Sequence, residues 1–212
     1  MKRIMIMLLA CGCILSACSM SGDKEAEHKD KPEKKVTQKQ PTEKDASKIN
    51  LHPEIFTKKA KNKTISEAEM KRDIQQYLNA DHDLTKISEH YQDAMYSEKG
   101  LSKEEANHIK QAGKLTDKND NNFADYINQN KLPKGYDRNT HKISRYITTS
   151  NQYLRDMEEK IDTVMENSKD GKVSIKEIGD IGSDSDVVNG KQQKQIEDWL
   201  DEKGIQTRAF TK

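Results

Sequence analysis

Residues 166–177 carry oxygen-bearing groups at a spacing that suits a divalent cation. The oxygen donors fall at positions 1, 3, 5, 7, 9 and 12 of this stretch, where Lys172 would contribute its carbonyl and the others their side chains: Glu166, Ser168, Asp170, Lys172, Ser174 and Glu177. Calcium takes six to eight oxygen ligands of these kinds, and a glycine at the sixth position allows the sharp turn that wraps the chain around the ion. Gly171 occupies that position. The stretch therefore predicts a candidate calcium site.

This stretch resembles the loop of an EF-hand, with Val173 at the apolar eighth position and an amphipathic helix before it. It departs from the family at Glu166, because aspartate is the usual first ligand and the longer side chain crowds the ion. The alternative is a polar connection between two helices in which Asp170 and Gly171 form a turn. Gly179 and Gly182 weaken any exit helix and favour this simpler interpretation.

The N-terminus has the pattern of a cleaved export signal. Lys2 and Arg3 precede an apolar segment over 4–15, which is followed by Leu15-Ser16-Ala17-Cys18. This ending is similar to the lipobox of bacterial lipoproteins, which implies removal of residues 1–17 and a diacylglycerol on the Cys18 thiol. Two acyl chains anchor a protein stably. We expect attachment to the extracytoplasmic face of the bacterial cell membrane, in a Gram-positive cell. Ordinary cleavage after Ala17 is the alternative.

Charge and cysteine usage narrow the possible functions. The chain has 37 basic and 36 acidic residues. Removal of the signal would take away two basic residues, Lys2 and Arg3, and would leave a formal charge of −1. That balance gives no electrostatic footprint for nucleic acid. Cys18 is the last of the three cysteines. A mature chain beginning there has no disulfide, so we expect its domain to depend on an apolar core.

Residues 18–48 are predicted to form a disordered tether. From Ser21 to Lys48 there are eight lysines, seven acidic residues and two prolines, with only Ala26, Val36 and Ala46 apolar. Such a stretch buries too little apolar surface to offset the entropy of ordering. We expect it to hold the following domain away from the membrane.

The sequence pattern over residues 49–212 predicts a single all-α domain of about six helices with little or no β structure. Two capping boxes, Ser66 with Glu69 and Ser102 with Glu105, mark helix starts. Asp81-His82-Asp83 and the polar run over 117–122 read as breaks between helices. An apolar row over 143–164 predicts one long straight helix, and the last helix is expected to end at Gly204.

The last four residues of the polar run and the phenylalanine after them read Asn119-Asp120-Asn121-Asn122-Phe123. This stretch resembles the signature of the NDxxF-motif lipoproteins of Gram-positive cocci. The lipobox, charged tether and length of about 200 residues are similar as well, so the resemblance covers the whole chain. This resemblance implies a location at the cell surface and no particular activity. From the residues themselves, Asn119 and Asp120 are expected to cap a helix, and Phe123 to be a core anchor.

No catalytic motif stands out. The six histidines never occur as an i, i+4 pair, and the sequence has neither a glycine-rich phosphate loop nor a Gly-x-Ser-x-Gly elbow. We therefore expect a non-enzymatic module without a cofactor that binds a protein or wall component at the cell envelope. The alternative is calcium binding by loop 166–177. A hydrolase would need Asp and Glu residues converging from separate helices.

Overall fold

The computed structural model describes residues 49–167, 173 and 187–210, and within them the domain is all-α, as predicted. Five helices are present there: α1 (Glu67–Tyr96), α2 (Lys103–Asn128), α3 (Asp137–Ser150), α4 (Gln152–Asn167) and α5 (Gly190–Lys203). The β structure of this part of the chain consists of two isolated bridges, Thr64 with Lys131 and Leu101 with Val173. Signal segment 1–17 and tether 18–48 lie outside the described residues.

Side chains at the helix starts account for where α1, α2 and α5 begin. Ser66 accepts a hydrogen bond from the Glu69 amide at the start of α1. Ser102 and Glu105 form the full reciprocal capping box at the start of α2, and Asn189 caps α5. These bonds satisfy amides that have no partner within their helix. Gly204, with a φ of 64°, ends α5 as predicted.

Two of the expected breaks are wrong. α1 continues through Asp81-His82-Asp83, and α2 continues through the whole of 117–122, so each helix is about twice as long as predicted. The reason is that Asp81 and Asp120 lie on the buried faces of these helices and find hydrogen-bond partners inside the domain. The prediction of about six helices assumed one break within α1 and another within α2, and neither helix has such a break.

The single long helix expected over 143–164 is also wrong, because the chain forms α3 and α4 on either side of Asn151. The Asn151 amide donates to the carbonyl of Ile147 at 2.9 Å, and its own carbonyl accepts from Leu154 at 3.0 Å. The backbone thus turns tightly here, with φ −77° and ψ −6°. The Asn151 side chain points into the domain, where it contacts two carboxylates.

The core contains two apolar clusters, both of which include residues of α1. The first cluster contains most of the buried aromatic side chains and lies around the N-terminal half of α1. The second lies around its C-terminal half, against α2 and α4. α2 packs on α1, α3 and α4, so it is the central helix of the described part. No helix in the described ranges is long and apolar enough to cross a membrane.

Candidate functional site

A segment without helix precedes α1, and we call residues 49–64 the strap. One of its residues, Phe56, is held by side chains of α2 on both sides. The Phe56 amide donates to Asn119 Oδ1 at 2.9 Å, and the Phe56 carbonyl accepts from Asn122 Nδ2 at 2.9 Å. Asn119 Nδ2 in turn donates to the carbonyl of Tyr77 at 3.3 Å. Asn119 therefore links the strap, α1 and α2.

Phe123 lies one turn further along α2 than Asn119. Asn119, Asn122 and Phe123 together hold Phe56, and we call these three residues the clamp. The Phe123 ring is fully buried, stacks on Tyr77 with the ring centroids 4.0 Å apart, and meets Phe56 edge-on at 5.2 Å. Phe123 thus lies in the core, as the sequence predicted. The predicted capping role of Asn119 and Asp120 is wrong, because both lie inside α2.

A second set of bonds fixes the end of the strap. Asn130 donates to the carbonyl of Ala60 at 2.7 Å and accepts from the Lys63 amide at 3.0 Å. The Lys131 amide donates to the Lys63 carbonyl, and the Lys131 carbonyl accepts from Ile65. The strap is therefore held at two places separated by several residues.

Two buried carboxylates, Asp81 of α1 and Asp120 of α2, form a polar cluster beside the clamp. Asn151 Nδ2 donates to Asp81 at 2.8 Å and to Asp120 at 3.2 Å. The Tyr77 hydroxyl donates to Asp120 at 2.8 Å, and Arg155 lies 3.5 Å from the same carboxylate. Side chains from three helices and from Asn151 between α3 and α4 thus meet in one network.

Burial dominates the protonation of this cluster. It raises the pKa of Asp81 to about 7, although the hydrogen bond from Asn151 opposes the shift. Burial also raises the pKa of Asp120, against the hydrogen bonds from Tyr77 and Asn151 and the charge of Arg155. The exposed fractions of Asp81 and Asp120 are only 8% and 3%. These carboxylates are bonded to protein groups and have little access to a substrate.

The structure describes part of the predicted calcium loop. Glu166 is exposed in the last turn of α4, and Val173 is fully buried, with two backbone hydrogen bonds to Leu101. The other five predicted ligands lie outside the described residues: Ser168, Asp170, Lys172, Ser174 and Glu177. Cys18 also lies outside them. Among the described residues, no group of three histidine, cysteine or acidic side chains could hold a metal ion.

Surface cavities adjoin the strap at several places. One of about 450 Å³ lies beside Asn62, Lys63 and Lys131, and two others lie at the start of the strap and beside residues 58–61. The larger of these two, about 630 Å³, lies where the strap begins, at Ile49 and Asn50. Its charged groups are already paired, Arg208 with Asp83 at 2.8 Å and Lys86 with Glu89 at 2.6 Å. The smaller, about 240 Å³, lies beside strap residues 58–61 and the C-terminal half of α2.

Comparison with protein-family models, curated proteins and solved structures finds no match for this chain.

Proposed function

We propose that this chain is a lipid-anchored surface protein whose helical domain is a non-enzymatic binding module at the cell envelope. The observation that carries the proposal is the clamp on Phe56. A tether attached to Cys18 would enter the domain through the strap, and Asn119 and Asn122 hold that strap on the central helix. The arrangement suits a domain that must remain folded while it is held by its N-terminal end.

The surface of the described residues favours a polar binding partner. Tyr96, 45% exposed, is its one exposed large hydrophobic side chain. Centres of stable protein interfaces are usually enriched in aromatic and other apolar anchors. Of the two partner classes expected from the sequence, a wall component fits this surface better than another protein.

The anchor is tested by Cys18→Ala in the full chain. We expect this variant to lose palmitate labelling and to appear in the medium, because it has no thiol to receive the lipid. Its melting temperature should not change. Cys11→Ala is the matched control and should keep both label and membrane attachment. A Cys18→Ala protein that stays in the membrane fraction would contradict the proposed anchor.

The binding role is tested by sedimentation of the full chain, in neutral detergent, with isolated Gram-positive cell walls. We expect the protein to pellet with the walls in a saturable manner, since a binding site has a finite capacity. Bovine serum albumin serves as the non-binding reference. Recovery of all the protein in the supernatant would contradict the proposed wall partner.

Calcium binding by loop 166–177 is a second candidate function, and Val173 favours it. This residue is the apolar eighth position of the pattern, and its burial and pairing with Leu101 attach the loop to the core. α4 also leads directly into the stretch, ending at Asn167. These positions of α4 and Val173 are the features of the described residues that support the candidate.

Calcium should stabilise the fold if the loop binds it. Extracellular modules need dissociation constants of only ~10⁻⁴–10⁻³ M. At ten times the dissociation constant, calcium would add about 1.4 kcal/mol to the free energy of unfolding. Glu177→Gln should abolish this gain by removing the bidentate ligand, and Glu166→Asp should increase it. Thermal melting with about 10 mM calcium or with chelator measures the effect. An equal shift in Glu177→Gln would contradict calcium binding and favour the interpretation of this stretch as a turn between helices.

A further inference from the structure

Two neighbouring segments at the end of the strap are rich in lysine. Residues 57–64 and 128–135 together contain six lysines and no acidic residue. Backbone hydrogen bonds join them, from the Asn62 amide to the Gln129 carbonyl at 2.8 Å and from the Lys131 amide to the Lys63 carbonyl at 2.8 Å. The two segments therefore present their positive charges from one bonded unit of structure.

Four of these lysines form what we call the lysine edge: Lys59, Lys61, Lys63 and Lys131. All four are exposed, and none forms an ion pair with a described residue. Lys58 differs, because its ammonium lies 2.6 Å from Asp73 and 3.1 Å from Glu69. Its charge is thus already neutralised within the domain.

Two of the cavities bring these charges together. Lys59 and Lys61 line the smaller cavity beside the C-terminal half of α2. Lys63 and Lys131 line the cavity of about 450 Å³ next to it along the strap. Asp125 is the acidic residue that lines the smaller cavity, and the third lysine there, Lys58, is already paired with Asp73 and Glu69. The lysine edge therefore retains a net positive charge where an anionic chain could lie along it.

We propose that the lysine edge binds the phosphodiester groups of an anionic wall polymer. This inference rests on the proposed function and names the chemistry of its partner. Lysine binds phosphate as a point charge, without a fixed geometry, which suits a repeating chain whose phosphates recur along a variable backbone. The mature chain is close to neutral overall, so this local excess of charge would direct the polymer to one place.

The position of the edge favours a wall polymer over lipid headgroups. The strap begins beside α1 residues 83–90, and Lys58 contacts Glu69 and Asp73, near the other end of α1. These sites are separated by about 17 residues of helix, or about 25 Å. A tether joining at Ile49 would thus be attached about 25 Å along α1 from the lysine edge, which leaves the edge accessible to a polymer.

The test compares two triple variants of the full chain in neutral detergent. One is Lys59→Gln/Lys61→Gln/Lys63→Gln, and the other is Lys99→Gln/Lys118→Gln/Lys191→Gln, which removes the same charge from exposed positions elsewhere. The probe is purified poly(glycerol phosphate), and calorimetry measures its affinity at several salt concentrations. We expect the first variant to bind at least ten times more weakly. Its salt slope should fall by about 2, from three lost contacts at roughly 0.7 each.

The control variant should bind like the unmodified chain. Equal weakening in both variants would overturn the proposal, because it would show a response to overall charge alone. Binding to vesicles of anionic phosphatidylglycerol but not to the polymer would overturn it in favour of a membrane surface. Sedimentation with cell walls distinguishes the two proposals: if the lysine-edge variant pellets as well as the unmodified chain, the binding function stands and this site is wrong.

Discussion

Phe123→Ala is expected to lower the free energy of unfolding by about 3–5 kcal/mol. The ring is fully buried, and its truncation would leave a cavity between Tyr77 and Phe56, both of which are also fully buried. Loss of the two aromatic contacts would add to the cost of the cavity. Because domains of this kind are stable by only about 5–15 kcal/mol, the loss is a large share of the total.

Denaturant unfolding of the full chain measures this loss. Phe210→Ala is the control, because Phe210 is only partly buried and packs at the margin of the same cluster, so its truncation should cost much less. Hydrogen exchange gives a second readout. The Phe56 amide should lose protection in Phe123→Ala, because the clamp that holds it loses its apolar support. Equal losses of stability in the two variants would contradict the assignment of Phe123 as the anchor of the clamp.

The helical class was predictable because the capping signals are local. Ser102 and Glu105 are three residues apart, and their reciprocal bonds need nothing else from the fold. Gly204 likewise ends α5 through its own backbone conformation. Burial of Phe123 was predictable from its type, since a large apolar ring beside a helical pattern is costly to expose.

The two long helices were missed for one physical reason. Their buried faces include polar residues, and sequence patterns treat a polar residue as the end of an apolar face. In α2 the buried positions continue at helical spacing across the polar run: Asn119 and Asp120 lie three and four residues after Thr116, and Phe123 lies three residues after Asp120. That unbroken helical spacing was the signal that could have identified one helix.

The partners of these polar residues were beyond the reach of sequence patterns. Asn119 bonds to Phe56, 63 residues away, and Asn151 bonds to Asp81, 70 residues away. A single sequence contains no local feature that pairs such positions. The same holds for the lysine edge, whose two segments are brought together only when the strap is bonded to the chain after α2.

The second large effect concerns Asp81 and pH. Burial raises its pKa in the folded protein to about 7, from an ordinary value of 3.8. Between these values the folded carboxyl keeps a proton that the unfolded chain has lost, so the contribution of Asp81 to stability falls as pH rises. It is fully present below about pH 4 and lost above about pH 7. Three pKa units correspond to about 4 kcal/mol.

Asp81→Asn isolates this contribution. An asparagine can still accept the hydrogen bond from Asn151 and carries no charge into the core. We therefore expect the variant to be more stable than the unmodified chain at pH 8, by up to about 4 kcal/mol. The two should differ little at pH 4, because this is close to the ordinary pKa of 3.8 and the folded aspartate, which is protonated there, holds only part of a proton more than the unfolded one.

Melting of both proteins between pH 4 and pH 8 measures the difference. Asp93→Asn, on the exposed face of the same helix, controls for removal of a charge from α1. The comparison with the unmodified chain at each pH separates Asp81 from titrating groups that do not interact with it. Asp120 shares Asn151 with Asp81, so any pH dependence that these two carboxylates produce belongs to the pair. A stability difference that stays constant across this range would show that Asp81 is ionised in the fold throughout, with Asn151 and the surrounding dipoles balancing its buried charge.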